Sequence, residues 1–376
     1  MKKIKFKTIL FCALLCAFTA SCSSDDPLIE DDSTETDDGT DDGSGDNSSN
    51  TNTLSGSPIG FATVGTTPTG GQGGSSRIVT TSSELKSALS SSGNLIIYIK
   101  DTITVSSQIR VLANNKTVLG LSGSALYNPN RTKDESGILY FKEGSDNLIL
   151  RNITFMSAGA YDVDGEDNLC IDGTTNIWVD HCDFQDGVDG NFDCKNASNN
   201  IAVTWCRFRY LIDPLAGGSG GSDDHRFSNL WGASDSATGD SGHLNTTFQY
   251  CWWDEGCRER MPRVRYGKVH IANCLYKSSV TNYCIGVGAY ASIYVENSVF
   301  SGIRKVYDDK SNSTGAINLT GCSFQSVNTN YSYDNFGSAF TPTDYYTLDV
   351  VSADEVEALV TDEATGAGAT LEISEP

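Results

Sequence analysis

Long apolar runs, basic residues and helical periodicity are all scarce in this chain of 376 residues. The one continuous apolar run, Ile9 to Phe18, is too short to span a bilayer. Lys and Arg number 26 against 48 Asp and Glu, and no basic stripe runs along any segment, which argues against nucleic acid as a partner. No amphipathic helix of useful length separates the short β-branched runs of the central region, so strands must build the core. The acidic excess is uneven. Eleven acids fall in residues 23–56 and nine in 341–376, which leaves residues 57–340 with a charge of only about −6 out of −22. A polyanionic partner is therefore not excluded by the net charge.

At the start of the chain, Lys2, Lys3, Lys5 and Lys7 precede the apolar run, and small residues lead to Ser21-Cys22. This pattern predicts an export signal over residues 1–22. Cys22 after Thr19-Ala20-Ser21 resembles a bacterial lipoprotein cleavage site, with Thr19 standing where Leu is usual. Lipidation of Cys22 would tie the chain to a membrane through an acyl anchor alone, as an outer-membrane lipoprotein. An ordinary signal peptide would instead release it. Asp25 and Asp26 resemble a surface-export signal of some lipoproteins. Residues 23–56 are Asp, Glu, Ser, Thr, Gly and Asn with almost nothing apolar, so they are expected to form a disordered linker. A single domain is expected over 57–376.

Twelve cysteines in an exported chain suggest disulfides at first, but their spacing suggests a repeat. Asp180-His-Cys-Asp-Phe184, Thr204-Trp-Cys-Arg-Phe208, Gln249-Tyr-Cys-Trp-Trp253, Ala272-Asn-Cys-Leu-Tyr276, Glu296-Asn-Ser-Val-Phe300 and Thr320-Gly-Cys-Ser-Phe324 share one shape. In each, an aromatic follows a small residue by two positions. The small residues fall at 182, 206, 251, 274, 298 and 322, at intervals of 24, 45, 23, 24 and 24. The long interval contains the Gly/Ser/Asp-rich stretch Ile212 to His243, which reads as an inserted loop. Such a period with short strands in each unit predicts an all-β solenoid, a right-handed parallel β-helix with loop insertions and short terminal helices. Equivalent residues would stack about 4.8 Å apart, slightly beyond the roughly 3.5 to 4.5 Å between the Cβ atoms of a disulfide. The ladder cysteines are therefore expected to be free, buried thiols. Cys170 and Cys194 read as a second stacked pair, and Cys257 with Cys284 as the one candidate bridge. Asp354 to Val360 reads as a short helix packed on the solenoid.

In a solenoid, distance before the ladder residue becomes an angular coordinate on the wall. Asp167 lies 15 residues before Cys182, Asp189 and Asp193 lie 17 and 13 before Cys206, and Arg260 lies 14 before Cys274. All four are expected on one flank. The aspartates come from adjacent coils, close enough for their oxygens to converge on Ca2+. Arg260 would lie two coils on, about 10 Å along the axis. The cluster Arg258, Arg260, Arg263 and Arg265 would be self-repelling unless an anion is normally present. Asp is common at solenoid turns, so each aspartate alone reads equally well as a turn residue. His270, four residues before Cys274 and on a different face, and the pair Asp180-His181, which abuts Cys182, read as structural.

The run Arg260-x-Pro262-x-x-Arg265-Tyr266-Gly267-Lys-Val-His270-Ile-Ala-Asn273 resembles the signature of polysaccharide lyase family 1, the pectate and pectin lyases. Ile177-Trp178-Val179-Asp180-His181 resembles the second motif of that family. Gly60-Phe-Ala-Thr-Val64, Glu84-Leu85-Lys86 and Lys116-Thr-Val-Leu-Gly120 add to the match, so the likeness extends over residues 58–350. It implies a calcium-dependent pectate lyase that cleaves polygalacturonate by β-elimination to 4,5-unsaturated oligogalacturonides. It implies Asp167, Asp189 and Asp193 as Ca2+ ligands, Arg260 as the base that takes the C5 proton, and Arg265 as a partner for a substrate carboxylate, with Arg263 beside it. A guanidinium normally holds its proton, so an alkaline pH optimum is expected.

Two positions depart from the family pattern. Phe227 stands where a substrate-binding Lys is usual, with Arg226 and Lys195 as candidate replacements. Gly165 stands at a fourth calcium-ligand position, with Asp164 and Glu166 nearby. Pectin lyases share the fold and the arginine but lack the acidic cluster, and a polygalacturonase would need an Asp-Asp, Gly-His-Gly and Arg-Ile-Lys set that the chain does not contain. A non-catalytic glycan-binding solenoid is the alternative from another class. The chain is expected to act as a monomer.

Overall fold

Three short strands and three bends make each turn of the chain, and successive turns stack in parallel register into three sheets. The computed structural model describes residues 56–312, 314–331 and 333–376. The expected export signal, the Cys22 lipidation site and the acidic linker as far as residue 55 lie outside the described residues. The first sheet has ten strands, from Ser75–Val79 to Ala316–Thr320, and the second has nine, from Thr102–Thr104 to Ser323–Gln325. The third has eight, from Ile109–Val111 to Tyr307–Asp309. Each coil leaves the first sheet, bends into the second and returns through the third. The chain is the right-handed parallel β-helix that the cysteine period predicts.

Along the first sheet Ile177 pairs with Ile201, Ile201 with Thr246, Thr246 with Val269, Val269 with Ile293 and Ile293 with Ile317. These steps of 24, 45, 23, 24 and 24 residues are the ladder intervals themselves. The residue before each ladder position takes the left-handed conformation that turns the chain from first sheet to second: Asn152, His181, Trp205, Tyr250, Asn273 and Asn297 have φ between 44 and 58°. Asn tolerates this region better than most residues. The ladder residue then points inward, and Cys182, Cys206, Cys251, Cys274 and Ser298 are fully buried. Two positions on, the aromatics form a continuous stack. Ring centroids are 4.8 Å apart for Phe155 and Phe184, 5.1 Å for Phe184 and Phe208, and 5.5 Å for Phe208 and Trp253. They are 4.6 Å apart for Trp253 and Tyr276 and 4.5 Å for Tyr276 and Phe300.

Every cysteine between residues 170 and 322 is a free thiol, so Cys257 and Cys284 are not bridged. Two further expectations are corrected. Cys194 pairs with Ile171, and Cys170 pairs with Asp193. Neighbouring residues in a strand face opposite sides, so Cys194 lies in the core while Cys170 shares the outward row with Asp193. The cause is a 23-residue step in this part of the third sheet, where the reading assumed 24. The stretch 212–243 is not all loop either. Leu230–Trp231 is a strand of the third sheet, with Trp231 fully buried. Two apolar residues between Asn229 and Gly232 carry too little pattern to be read as a strand.

Two short helices pack on the solenoid. The helix Ser82–Leu89 starts with a capping box between Thr81 and Glu84 and buries Leu85, Ala88 and Leu89 in the core. The helix Ala353–Val360 packs Val356 and Val360 against Leu275 and Val299 of the second sheet. His270 bonds Glu296 and Tyr346 at 2.8 and 2.9 Å, and Asp180 bonds Arg151 and His181, each at 2.8 Å. These groups brace the first sheet and the segment lying over it.

Candidate functional site

The third sheet and the connections that lead into it from the second bring the chemistry together. Asp162, Asp164, Asp189, His225, Phe227 and Arg260, with Gly220, Gly221 and Ser222, line one pocket of about 470 Å3 on this flank. That size is within the range of small-ligand sites. Asp193, Lys195, Arg263 and Arg265 come from the strands of the sheet itself or immediately after them. In the register of the sheet Cys194 pairs with Trp231 of the next coil, and the Leu230 N–H beside it donates to Asp193 Oδ1 at 2.9 Å. Leu230 in turn pairs with Arg263, so Asp193 and Arg263 stand two coils apart on one face.

Asp167 and Asp193 converge. A side chain at Gly190 would place its Cβ 2.8 Å from Asp167 Oδ1 and 3.1 Å from Asp193 Oδ1, so only glycine leaves this space open. Asp167 is 8% exposed, and its Oδ1 is buried with no hydrogen-bond donor among the described residues. Burial first, then the charges of Asp193 and Asp189, pushes the Asp167 carboxyl well above the usual range. Asp193 is pushed up to about 7 by burial and then by Asp189, with Arg260 acting in the opposite sense. An orphaned carboxylate oxygen, a second one facing the same gap and mutual repulsion between acids are the conditions that a bound cation relieves. The donor set is all oxygen, which suits Ca2+. Asp189 is 30% exposed and extends the acidic wall into the pocket. Near the departing Gly165, Asp164 faces the pocket, whereas Glu166 is turned to Arg110 at 3.5 Å and to the Gly137 N–H at 3.3 Å.

The arginine cluster separates into two pairs. Arg258 lies 3.4 Å from Asp224, and Arg265 is 8% exposed, held by Asp235 at 2.6 Å and the Gly232 carbonyl at 2.7 Å. Among the described residues no carboxylate forms an ion pair with Arg260 or Arg263, and the Nε of each is buried without an acceptor. Burial, with Arg265 and Arg260 nearby, lowers the pKa of Arg263 from its ordinary value. Arg260 has φ 59°, a left-handed conformation costing roughly 1 kcal/mol for a non-glycine residue, and its guanidinium carbon lies 4.5 Å from the centre of the Phe227 ring. Arg260 and Arg263 thus have no carboxylate partner among the described residues, while Arg265 is tied to Asp235.

Of the two candidates to replace the usual lysine, Arg226 is bound by Asp224 through two bonds of 2.7 and 2.6 Å, so its guanidinium is already engaged. Lys195 is half-buried beside Tyr140, 5.3 Å from the ring centre. Burial opposes its charge, but Cys170, Tyr140, Asp167 and Asp172 outweigh it and raise its pKa. The residues that sequence reasoning missed are His225 and Asp162. Phe227 was already placed at the site, and strand-like alternation carries His225, two positions earlier, to the same side. The isolated bridge between Phe227 and Glu259 supplies that extended backbone.

A family model described as pectate lyase matches residues 47–370. Probable pectate lyase B of Aspergillus terreus is 31% identical over 252 residues, which cover 65% of this chain and 69% of that protein. The pectate trisaccharide-lyase of Thermotoga maritima is 31% identical over 239 residues, 59% of this chain and 58% of that protein. Among solved structures, a pectate lyase of Bacillus sp. N165 in complex with trigalacturonate superposes with a TM-score of 0.64 at 22% identity, covering 83% of this chain and 99% of that one. At that identity the likeness speaks for the fold.

Proposed function

Because this chain belongs to the pectate lyase family, we propose that it cleaves α-1,4-linked polygalacturonate by β-elimination, with calcium held at Asp167, Asp189 and Asp193. The observation that carries the calcium reading is the convergence of Asp167 and Asp193 on the gap at Gly190, with Asp167 Oδ1 lacking any donor. Calcium bound there supplies positive charge that stabilises the enolate-like form of a uronate as C5 loses its proton.

The protein's own residues divide the remaining work. Arg260, which lines the pocket and has no carboxylate partner among the described residues, takes the C5 proton in its neutral guanidine form and becomes guanidinium, and the C4 oxygen leaves as the C4–C5 double bond forms. Arg263 and Lys195 offer charge to uronate carboxylates on the same face. Arg265 acts through the loop it holds with Asp235. The Phe227 ring supports the Arg260 guanidinium from one side and presents an apolar surface to the sugar. The acidic wall favours unesterified substrate over the methyl ester, since a pectin lyase needs no such cluster.

The products decide the reaction class. Mass spectrometry of digested polygalacturonate is expected to show unsaturated oligogalacturonides, lighter by one water than the saturated products of hydrolysis. Saturated oligomers alone, or binding without cleavage, would sink the proposal. Export as an outer-membrane lipoprotein anchored at Cys22 completes the reading. Fatty-acid labelling of the full chain in cells, lost in Cys22→Ala, tests it, and labelling that persists in the variant would refute it.

A further inference from the structure

We propose that His225 and Asp189, oriented by Asp162, form a second divalent-metal site beside the calcium position, suited to a transition metal of the Zn2+ and Co2+ class. His225 is 7% exposed, and neither of its ring nitrogens makes a hydrogen bond among the described residues. Yet carboxylate oxygens stand close to both. Asp189 Oδ1 lies 3.2 Å from Nε2, and Asp162 Oδ1 lies 3.3 Å from Nδ1, neither contact having hydrogen-bond geometry. One ligand atom from each of the three residues lies within 4.8 Å of the others.

Two donors that share one ion at about 2.1 Å, at tetrahedral or octahedral angles, stand roughly 3.0 to 3.4 Å apart. The Nε2 to Asp189 separation falls in that interval, so the two atoms already form an edge of such a polyhedron. On the opposite side of the ring Asp162 is placed as the carboxylate that fixes a metal-bound imidazole. Asp162 is itself buried and held, since its Oδ2 accepts from the Ser222 N–H at 2.7 Å and a side chain at Gly220 would collide with it. Phe227 packs on the imidazole with ring centroids 4.1 Å apart, which sets the ring plane and brings no charge. An imidazole donor disfavours Ca2+, which takes oxygen ligands, and suits Zn2+ or Co2+. The open side of the site faces the pocket, where a uronate carboxylate can complete the coordination.

The proposal shares Asp189 with the calcium reading but does not use Asp167 or Asp193. Its test is titration of the full chain, saturated with Ca2+, with Co2+, read by visible absorption and by equilibrium dialysis. One Co2+ per chain is expected at saturating Ca2+. Its affinity should fall at least tenfold in His225→Ala and roughly 10-fold to 100-fold in Asp162→Asn, and should persist in Asp167→Asn. Equal Co2+ binding by His225→Ala, replacement of Co2+ by Ca2+ one for one, or no Co2+ binding would each overturn it. His225→Gln, with circular dichroism to confirm its fold, serves if His225→Ala does not fold. Calcium binding by Asp167→Asn, measured without Co2+, reports on the calcium reading separately.

Discussion

At Asp193 burial and the Asp189 charge push the carboxyl up to about 7. Below that pH the group holds a proton that Ca2+ must displace, and above it the carboxylate is ready. Calcium affinity should therefore rise as pH increases from 5.5 to about 7.5 and then level off, with proton release on binding in the lower range. Calorimetry at pH 5.5 and 8.5 checks this, and equal affinities would contradict it. Arg260→Lys keeps a charge but changes the position and nature of the base. It should lower kcat roughly 10²- to 10⁴-fold with a much smaller change in KM, whereas a change confined to KM would demote Arg260 to substrate binding. Asp167, Asp189, Asp193 and Arg260 were legible because coil period turns sequence distance into position on the wall. His225 was not, since the inserted stretch 212–243 has no period to count from, and Asp162 lies in the bend between Thr154–Met156 and Leu169–Asp172, ahead of the first regular coil. The Arg265 pairing with Asp235 was hidden because Asp235 also falls in the stretch 212–243.

Among the elements, the aromatic stack carries much of the core. Phe208 is fully buried, 5.1 and 5.5 Å from the rings on either side. Phe208→Ala should cost about 3 to 5 kcal/mol, whereas Phe324→Ala, where the ring is 40% exposed at the end of the stack, should cost well under half of that. Chemical denaturation separates the two, and similar losses would argue against the stack as a source of stability. The thiol ladder makes a second prediction. A thiol reagent should react slowly with the native chain, and once unfolded the chain should show the same thiol count with or without prior reduction. A higher count after reduction would reveal a disulfide. Coils from residue 177 onward were legible because their steps are regular apart from one insertion. The preceding steps of 21, 32 and 29 residues, Leu95 to Lys116 to Leu148 to Ile177, vary too much for any repeat to be read.

For the whole molecule, residues 56–376 form one compact unit whose acidic site opposes folding when no cation is present. The folded Asp193 value lies above the ordinary carboxyl value of 3.8, so the stability this group contributes is full below that value. It is lost as pH rises towards about 7. Calcium offsets the loss. The calcium-induced rise in Tm should accordingly be larger at pH 8 than at pH 5, and an equal rise would separate calcium from these acids. The central claim is calcium-dependent elimination at this flank of the solenoid, and absorbance near 235 nm on polygalacturonate tests it most directly. The account predicts a steady rise with Ca2+, abolished by EDTA, restored by added Ca2+ and absent in Arg260→Ala. No rise with the folded, calcium-loaded chain, or a rise that survives EDTA, would contradict it.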